Sequence, residues 1–176
     1  MGTDPNGTWS LFVAADYYEA GSGMISNGWQ LRIITTATPG GGVVSINAAD
    51  RGWYDATGFH DPVNGNYLAG NHEDLQASPY RNWFAFTIPP WSVSPTAAEL
   101  KLFTYGASTA DPSEFFQLKA VSTPVAALVA GGSGLTNIYR DLGDGSVFGS
   151  RAFFVSDANR FVSIPFNASA AAHLSI

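Results

Sequence analysis

The chain has 176 residues, enough for one ordinary domain or one and a piece. Charged residues make up only 12%, against 14% aromatic and 45% hydrophobic, with 19 glycines and 10 prolines; this excludes wholesale disorder and favours short strands over helices. A net charge of −6 leaves no electrostatic basis for holding nucleic acid, and the lack of cysteine excludes a disulfide framework, thiolate catalysis and Cys-ligated zinc, while leaving secretion open.

Met1 to Asn6 has neither the basic nor the apolar region of a signal peptide. No apolar run approaches the roughly 18 residues of a membrane span, so none is expected. A surface-protein composition without an export signal reads as a mature part or an interior fragment. Two strands are predicted next, Trp9 to Val13 and Trp29 to Ile34, joined by the Gly- and acid-rich stretch Asp16 to Gly23. Pro39-Gly40-Gly41-Gly42 reads as a linker.

From Val43 the pattern changes. Val43 to Ile46 is a strand, and the turn-rich stretch from Asn47 to Pro79 reads as ordered loop. Asn82 to Ile88 is the strongest strand, stopped by Pro89-Pro90; Trp83, Phe84 and Phe86 on it are core candidates. Glu99 to Tyr105 alternates, with Leu100 and Leu102 facing one way and Glu99, Lys101 and Phe103 the other. Glu114 to Val121 follows as a strand. Thr123 as cap and Pro124 at the first helical position predict a helical turn over Val125 to Ala130, with another at Leu135 to Asp141. Ala152 to Val155 and Arg160 to Ile164 read as a strand pair around Ser156 to Asn159. Asn167 caps a final turn over Ala168 to Leu174.

Two stretches resemble known families. Asn6 to Val13, with Gly21 to Leu31, resembles the closing strands of the P domain of subtilisin-like proprotein convertases, most of all the bacterial secreted versions. Asp16-Tyr17-Tyr18-Glu19 departs from the more acidic, glycine-rich loop usual there. Residues 43–176 resemble β-sandwich modules of the DNRLRE type, carbohydrate-binding-like in fold. That match lies in Asn66-Tyr67-Leu68-Ala69-Gly70, Tyr80 to Phe86 and Ala98 to Phe103. Ala49 to Asp55 and Leu128 to Leu135 look like bacterial surface proteins with PEP-CTERM sorting tails, though no tail is present. These resemblances imply a partial P-domain-like segment at 1–38 and a DNRLRE-like sandwich at 39–176 lacking its last strand. Open sheet edges left by missing strands imply self-association.

The search for chemistry is sparse. Gly145-Ser146 and Gly21-Ser22-Gly23 form no nucleophile elbow, and His60, His72 and His173 share no metal-like spacing. His60-Asp61 is the one His–acid neighbour pair. Asp50, Asp55, Asp61, Glu73 and Asp74 supply acids in one region, but paired-carboxylate hydrolysis needs two facing across a cleft. Calcium is the chemical alternative: Asp141-Leu142-Gly143-Asp144-Gly145-Ser146 and the loop from Asp50 to Asp74 carry oxygen ligands, although such residues also form plain turns. No other cofactor is indicated. Glycan binding needs ring platforms beside polar groups, and the long loop mixes Trp53, Tyr54, Phe59 and Tyr67 with His60, Asn64 and Asn66. Trp53, Tyr54, His60 and Tyr67 are therefore the ligand-binding candidates; the alternative is that Trp53 and Tyr67 plug the end of a sandwich.

The expected fold is all-β, an antiparallel jelly-roll-like sandwich with short helical turns, preceded by a β-hairpin from an incomplete second sandwich. The expected role is that of a noncatalytic, structural or adhesive domain of a secreted or surface-exposed bacterial protein. Extracellular polysaccharide or other surface proteins would be its partners. A carbohydrate-binding module accessory to a secreted hydrolase is the alternative.

Overall fold

The computed structural model describes residues 7–15, 22–25, 29–35, 42–71, 79–89, 95–107 and 111–174. In chain order the strands are β1 (Gly7–Ala15), β2 (Ser22–Ile25), β3 (Trp29–Thr35), β4 (Gly42–Asn47), β5 (Asp50–Asp55), β6 (Tyr67–Gly70), β7 (Tyr80–Ile88), β8 (Pro95–Thr104), β9 (Gly106–Ala107), β10 (Glu114–Ala120), β11 (Val147–Phe153) and β12 (Arg160–Pro165). Helices α1 (Val125–Ala130) and α2 (Thr136–Asp144) lie between β10 and β11, and α3 (Ala168–His173) follows β12. Among the described residues the pairing is antiparallel throughout and forms two sheets. The larger runs β11-β10-β1-β7-β6-β2-β9, with β5 also on β7; the smaller runs β12-β8-β3-β4.

The two sheets share one core, which makes the architecture an all-β sandwich. Leu31, Ile33, Leu100, Leu102, Val162 and Ile164 of the smaller sheet pack with Phe84, Phe86, Ile88, Phe116, Leu118 and Phe148 of the larger. Period-two alternation explains the choice: on β8, Leu100 and Leu102 are buried while Glu99, Lys101 and Phe103 face outward and are only partly covered. Each fully buried Leu or Phe contributes about 1.5–3 kcal/mol. α3 closes one end of the core with Ala170 and Leu174. Asn167 starts it by accepting from the Ala170 amide at 3.0 Å, and its own amide donates to the Val147 carbonyl at 2.7 Å.

β7 is buried on both faces, hence its nearly unbroken apolar run. Phe84, Phe86 and Ile88 enter the sandwich. Trp83 and Ala85 alternate to the outside, where Tyr54, Leu128 and Leu142 cover them in a second core under α1 and α2. Two cations donate to α2 carbonyls: Arg81 to that of Tyr139 at 2.7 Å, and Lys119 to that of Gly143 in the last turn at 2.8 Å, where it complements the helix dipole.

Several expectations are corrected. The stretch from Asn47 to Pro79 is not all loop, because it contains β5 and β6. Its Gly52, which reads as a turn residue, is a packing requirement: a Cβ there would lie 2.9 Å from Trp83 Nε1. The first strands do not form a hairpin with one another. β1 lies between β7 and β10 in the larger sheet, while β3 lies between β8 and β4 in the smaller. Strands from both 1–38 and 39–176 therefore share each sheet. Likewise β11 and β12 are not partners; the turn between them carries the chain from one sheet to the other. Thr123 does not cap α1, whose N-cap position is Pro124, because its hydroxyl is hydrogen-bonded to Asp141 at 2.6 Å. The acidic stretch at 16–21, the linker at 39–41, and His72, Glu73 and Asp74 lie outside the described residues.

Candidate functional site

β5 and the loop after it carry the candidate residues, and alternation along β5 separates them. Trp53 pairs with Asn82 and faces the sandwich end, stacking edge-on to Tyr80 at 5.3 Å; Leu68 completes that small cluster. Tyr54 pairs with Arg81 on the opposite face, beneath α1. Its hydroxyl contacts the Leu128 carbonyl at 2.9 Å and that of Ala127 at 3.3 Å, and burial pushes its pKa up. Tyr67 belongs to the main core, edge-on to Phe84 at 5.5 Å, with the Arg51 guanidinium 5.5 Å from its ring centre.

His60 sits at the side of β5 and touches both groups, with ring centres 5.9 Å from Trp53 and 4.9 Å from Tyr54. Burial lowers its pKa, against a hydrogen bond to the Trp53 backbone and the charges of Asp61 and Asp50, which favour the cation.

The structure therefore brings Trp53, Tyr54 and His60 together, with Tyr67 nearby in the main core, but not as a ring platform. Trp53 is 6%, Tyr54 0%, His60 3% and Tyr67 1% exposed. None presents a face on which a sugar could stack. Phe59, edge-on to Trp53 at 6.0 Å, is the exposed aromatic of this loop.

Four acids of the two candidate calcium stretches accept hydrogen bonds from nearby amides and hydroxyls. Asp55 Oδ1 accepts from the Thr57 amide, the Thr57 hydroxyl and the Phe59 amide. Asp61 accepts from the Val63 amide at 3.0 Å, and Asp50 from that of Arg51 at 2.7 Å. Asp141 is held by the amides and hydroxyls of Ser122 and Thr123. Burial alone would raise its pKa, but these donors outweigh burial and hold it below the ordinary carboxylate value. Among the described residues no three His, Asp or Glu side chains gather as a metal site.

A different surface is open. Cross-strand partners place Phe103 beside Phe161, then Ser163, Lys101, Gln30 and Asn47 in one row, then Glu99, Arg32 and Ser45 in the next, all on the outer side of the smaller sheet. Phe161 is 54% exposed and meets Phe103 edge-on at 5.1 Å; Lys101 Nζ lies 5.2 Å from its ring centre, and Arg32 pairs with Glu99 at 3.2 Å. Alternation already turned Phe103 and Lys101 away from the core, but the partnership with Phe161 needs the β8–β12 register. Among the described residues no helix is long and apolar enough to cross a membrane. In comparisons with known proteins, no family model, no curated protein and no solved structure matches the chain.

Proposed function

We propose that the chain is a noncatalytic domain of a secreted or surface-exposed bacterial protein, structural or adhesive in role, serving attachment to matrix, biofilm or cell surface. The observation that carries this reading is the fate of the reactive groups: His60 is enclosed by aromatic rings, Asp50, Asp55 and Asp61 accept hydrogen bonds from residues beside them, and Asp141 accepts from Ser122 and Thr123. A general base needs access to substrate, which His60 lacks, and the carboxylates are already engaged by neighbouring donors. The bacterial extracellular setting rests on the resemblance of 43–176 to DNRLRE-type surface modules. A screen for ester, glycoside and peptide hydrolysis tests the noncatalytic claim. No turnover is expected, and turnover abolished by His60→Ala or Asp61→Ala would overturn it. Retention of the purified chain on bacterial matrix polysaccharide or whole cells tests attachment, and failure to be retained removes the adhesive role.

A second reading, a carbohydrate-binding module beside a secreted hydrolase, is favoured by one surface. Phe161 and Phe103, with Lys101, Gln30 and Ser163 adjoining, combine ring area with polar groups on an open sheet face. A glycan array separates the readings: a hit lost in Phe161→Ala supports the module, and silence removes it.

A further inference from the structure

We propose that His60 is an acid-operated latch: neutral, it holds the arm of residues 121–145 that contains α1 and α2 against the larger sheet, and protonation releases the arm and uncovers the sheet's apolar outer face.

His60 is where three parts of the fold meet. Its backbone forms an antiparallel bridge with Gly132 in the α1–α2 connection, amide to carbonyl in both directions at 2.9 and 3.0 Å. Two residues earlier, the Gly58 carbonyl accepts from the Leu135 amide at 2.9 Å. The ring lies among Trp53, Tyr54 and Trp83, the last at 6.3 Å. Glycines on both sides let it seat this deeply: a Cβ on Gly52 would lie 2.8 Å from His60 Cε1, and one on Gly131 would lie 3.1 Å from Cδ2 and 2.8 Å from the His60 carbonyl.

The cost of protonation follows from these surroundings. His60 Nδ1 is buried without a hydrogen-bond partner. In the imidazolium both ring nitrogens are donors, so one N–H would lie among rings with no acceptor. The groups around it are few. The Trp53 backbone, Asp61 on its own loop and Asp50 on β5 favour the cation; Tyr54 on β5 is a neutral phenol bonded to α1; Arg81 on β7 is turned to the Tyr139 carbonyl of α2; and the arm presents Gly131, Gly132 and Leu128, which carry no charge. Burial outweighs the Trp53 backbone hydrogen bond and the two acids, so the closed form binds the proton less tightly than the open form. Closure is therefore complete above the open-form pKa of about 6.5 and weakens as pH falls below it, by about tenfold per pH unit until the closed form itself titrates.

The arm's own carboxylate fastening, Asp141 to Ser122 and Thr123, belongs to stronger acid, because its pKa lies below the ordinary carboxylate value. Loss of arm protection between pH 6.5 and 5 therefore reports on His60. Release exposes Tyr54, Trp83 and Ala85 from beneath Leu128 and Leu142.

Amide hydrogen exchange from pH 7.5 to 5, corrected for intrinsic rates, tests the latch on the whole chain. Opening of amides over 125–144 should rise by up to about fivefold between pH 6.5 and 5.5, while those of β3 and β8 hold steady. In His60→Phe the arm's opening should become independent of pH over this range. Should that variant not fold, the His60 ring resonance in the unaltered chain gives the second readout, and its transition should lie below 6.5 and coincide with arm exchange. Arm amides exchanging in step with β8, a pH dependence that survives in His60→Phe, or a ring titrating at its ordinary value with the arm still protected would each overturn the latch.

Discussion

The Tyr54 hydroxyl and the Leu128 carbonyl meet at 2.9 Å across 74 positions of sequence, tying the β5 edge of the larger sheet to the end of α1. Both groups are buried. Tyr54→Phe keeps the ring but leaves a buried carbonyl short of its donor, so a loss of about 1–2 kcal/mol is expected in urea unfolding. Unchanged stability would show that the bond contributes nothing.

Gly52→Ala should be destabilising by about 1–3 kcal/mol, because the added methyl meets the His60 and Trp83 rings, both enclosed and unable to swing away. Gly106→Ala on β9 is the control, since a Cβ there meets nothing within 4 Å. Thermal melts of the two variants should separate clearly; equal melting temperatures would contradict the packing at Gly52.

Asp141 gives stability that depends on acid. Its folded pKa lies below the unfolded value of about 3.9, so its contribution is complete above that value and is lost as pH falls through the folded one. Because the carboxylate is only part-buried, Asp141→Asn should cost about 1 kcal/mol at pH 7. Paired urea titrations at pH 7, 4 and 2.5 should show the gap between variant and parent closing. A gap that stays constant would mean that charge plays no part.

Phe161→Ala should change stability by no more than about 1 kcal/mol, the range of a cross-strand aromatic pair on an exposed face. That tolerance makes it the suitable variant for glycan binding, since lost binding would not reflect lost folding. A drop of several kcal/mol would show that Phe161 is core.

The elements legible in the sequence are those whose local signal agrees with their burial. β8 alternates, β7 is apolar on both faces, and Asn167 precedes α3 with its cap. β5 was hidden because Asp50, Gly52 and Asp55 look like turn residues, and the His60 and Trp83 rings, distant in sequence, explain why glycine stands there. Sheet membership was hidden for a different reason. The short step from Phe153 to Arg160 has the length of a hairpin loop, yet the chain uses it to change sheets. At the candidate site, Trp53, Tyr54, His60 and Tyr67 were visible as a group of rings. Their burial depends on the arm and on the sandwich end, parts of the chain far from them in sequence.

The position of β1 between β7 and β10 sets an order of events during synthesis. Thr8 pairs with Thr87, and Leu11 with Ala120. A ribosome must therefore make more than half the chain before the first strand has both neighbours. Until then the N–H and C=O groups on its β10 side have only water or other chains to meet. Rapid local collapse cannot help, because both pairings close long loops and wait on slow encounters. Folding of this chain should thus be slow and late, with β1 seated only after β10 emerges and β11, β12 and α3 still to follow, so the cell's holding factors have their longest task at β1.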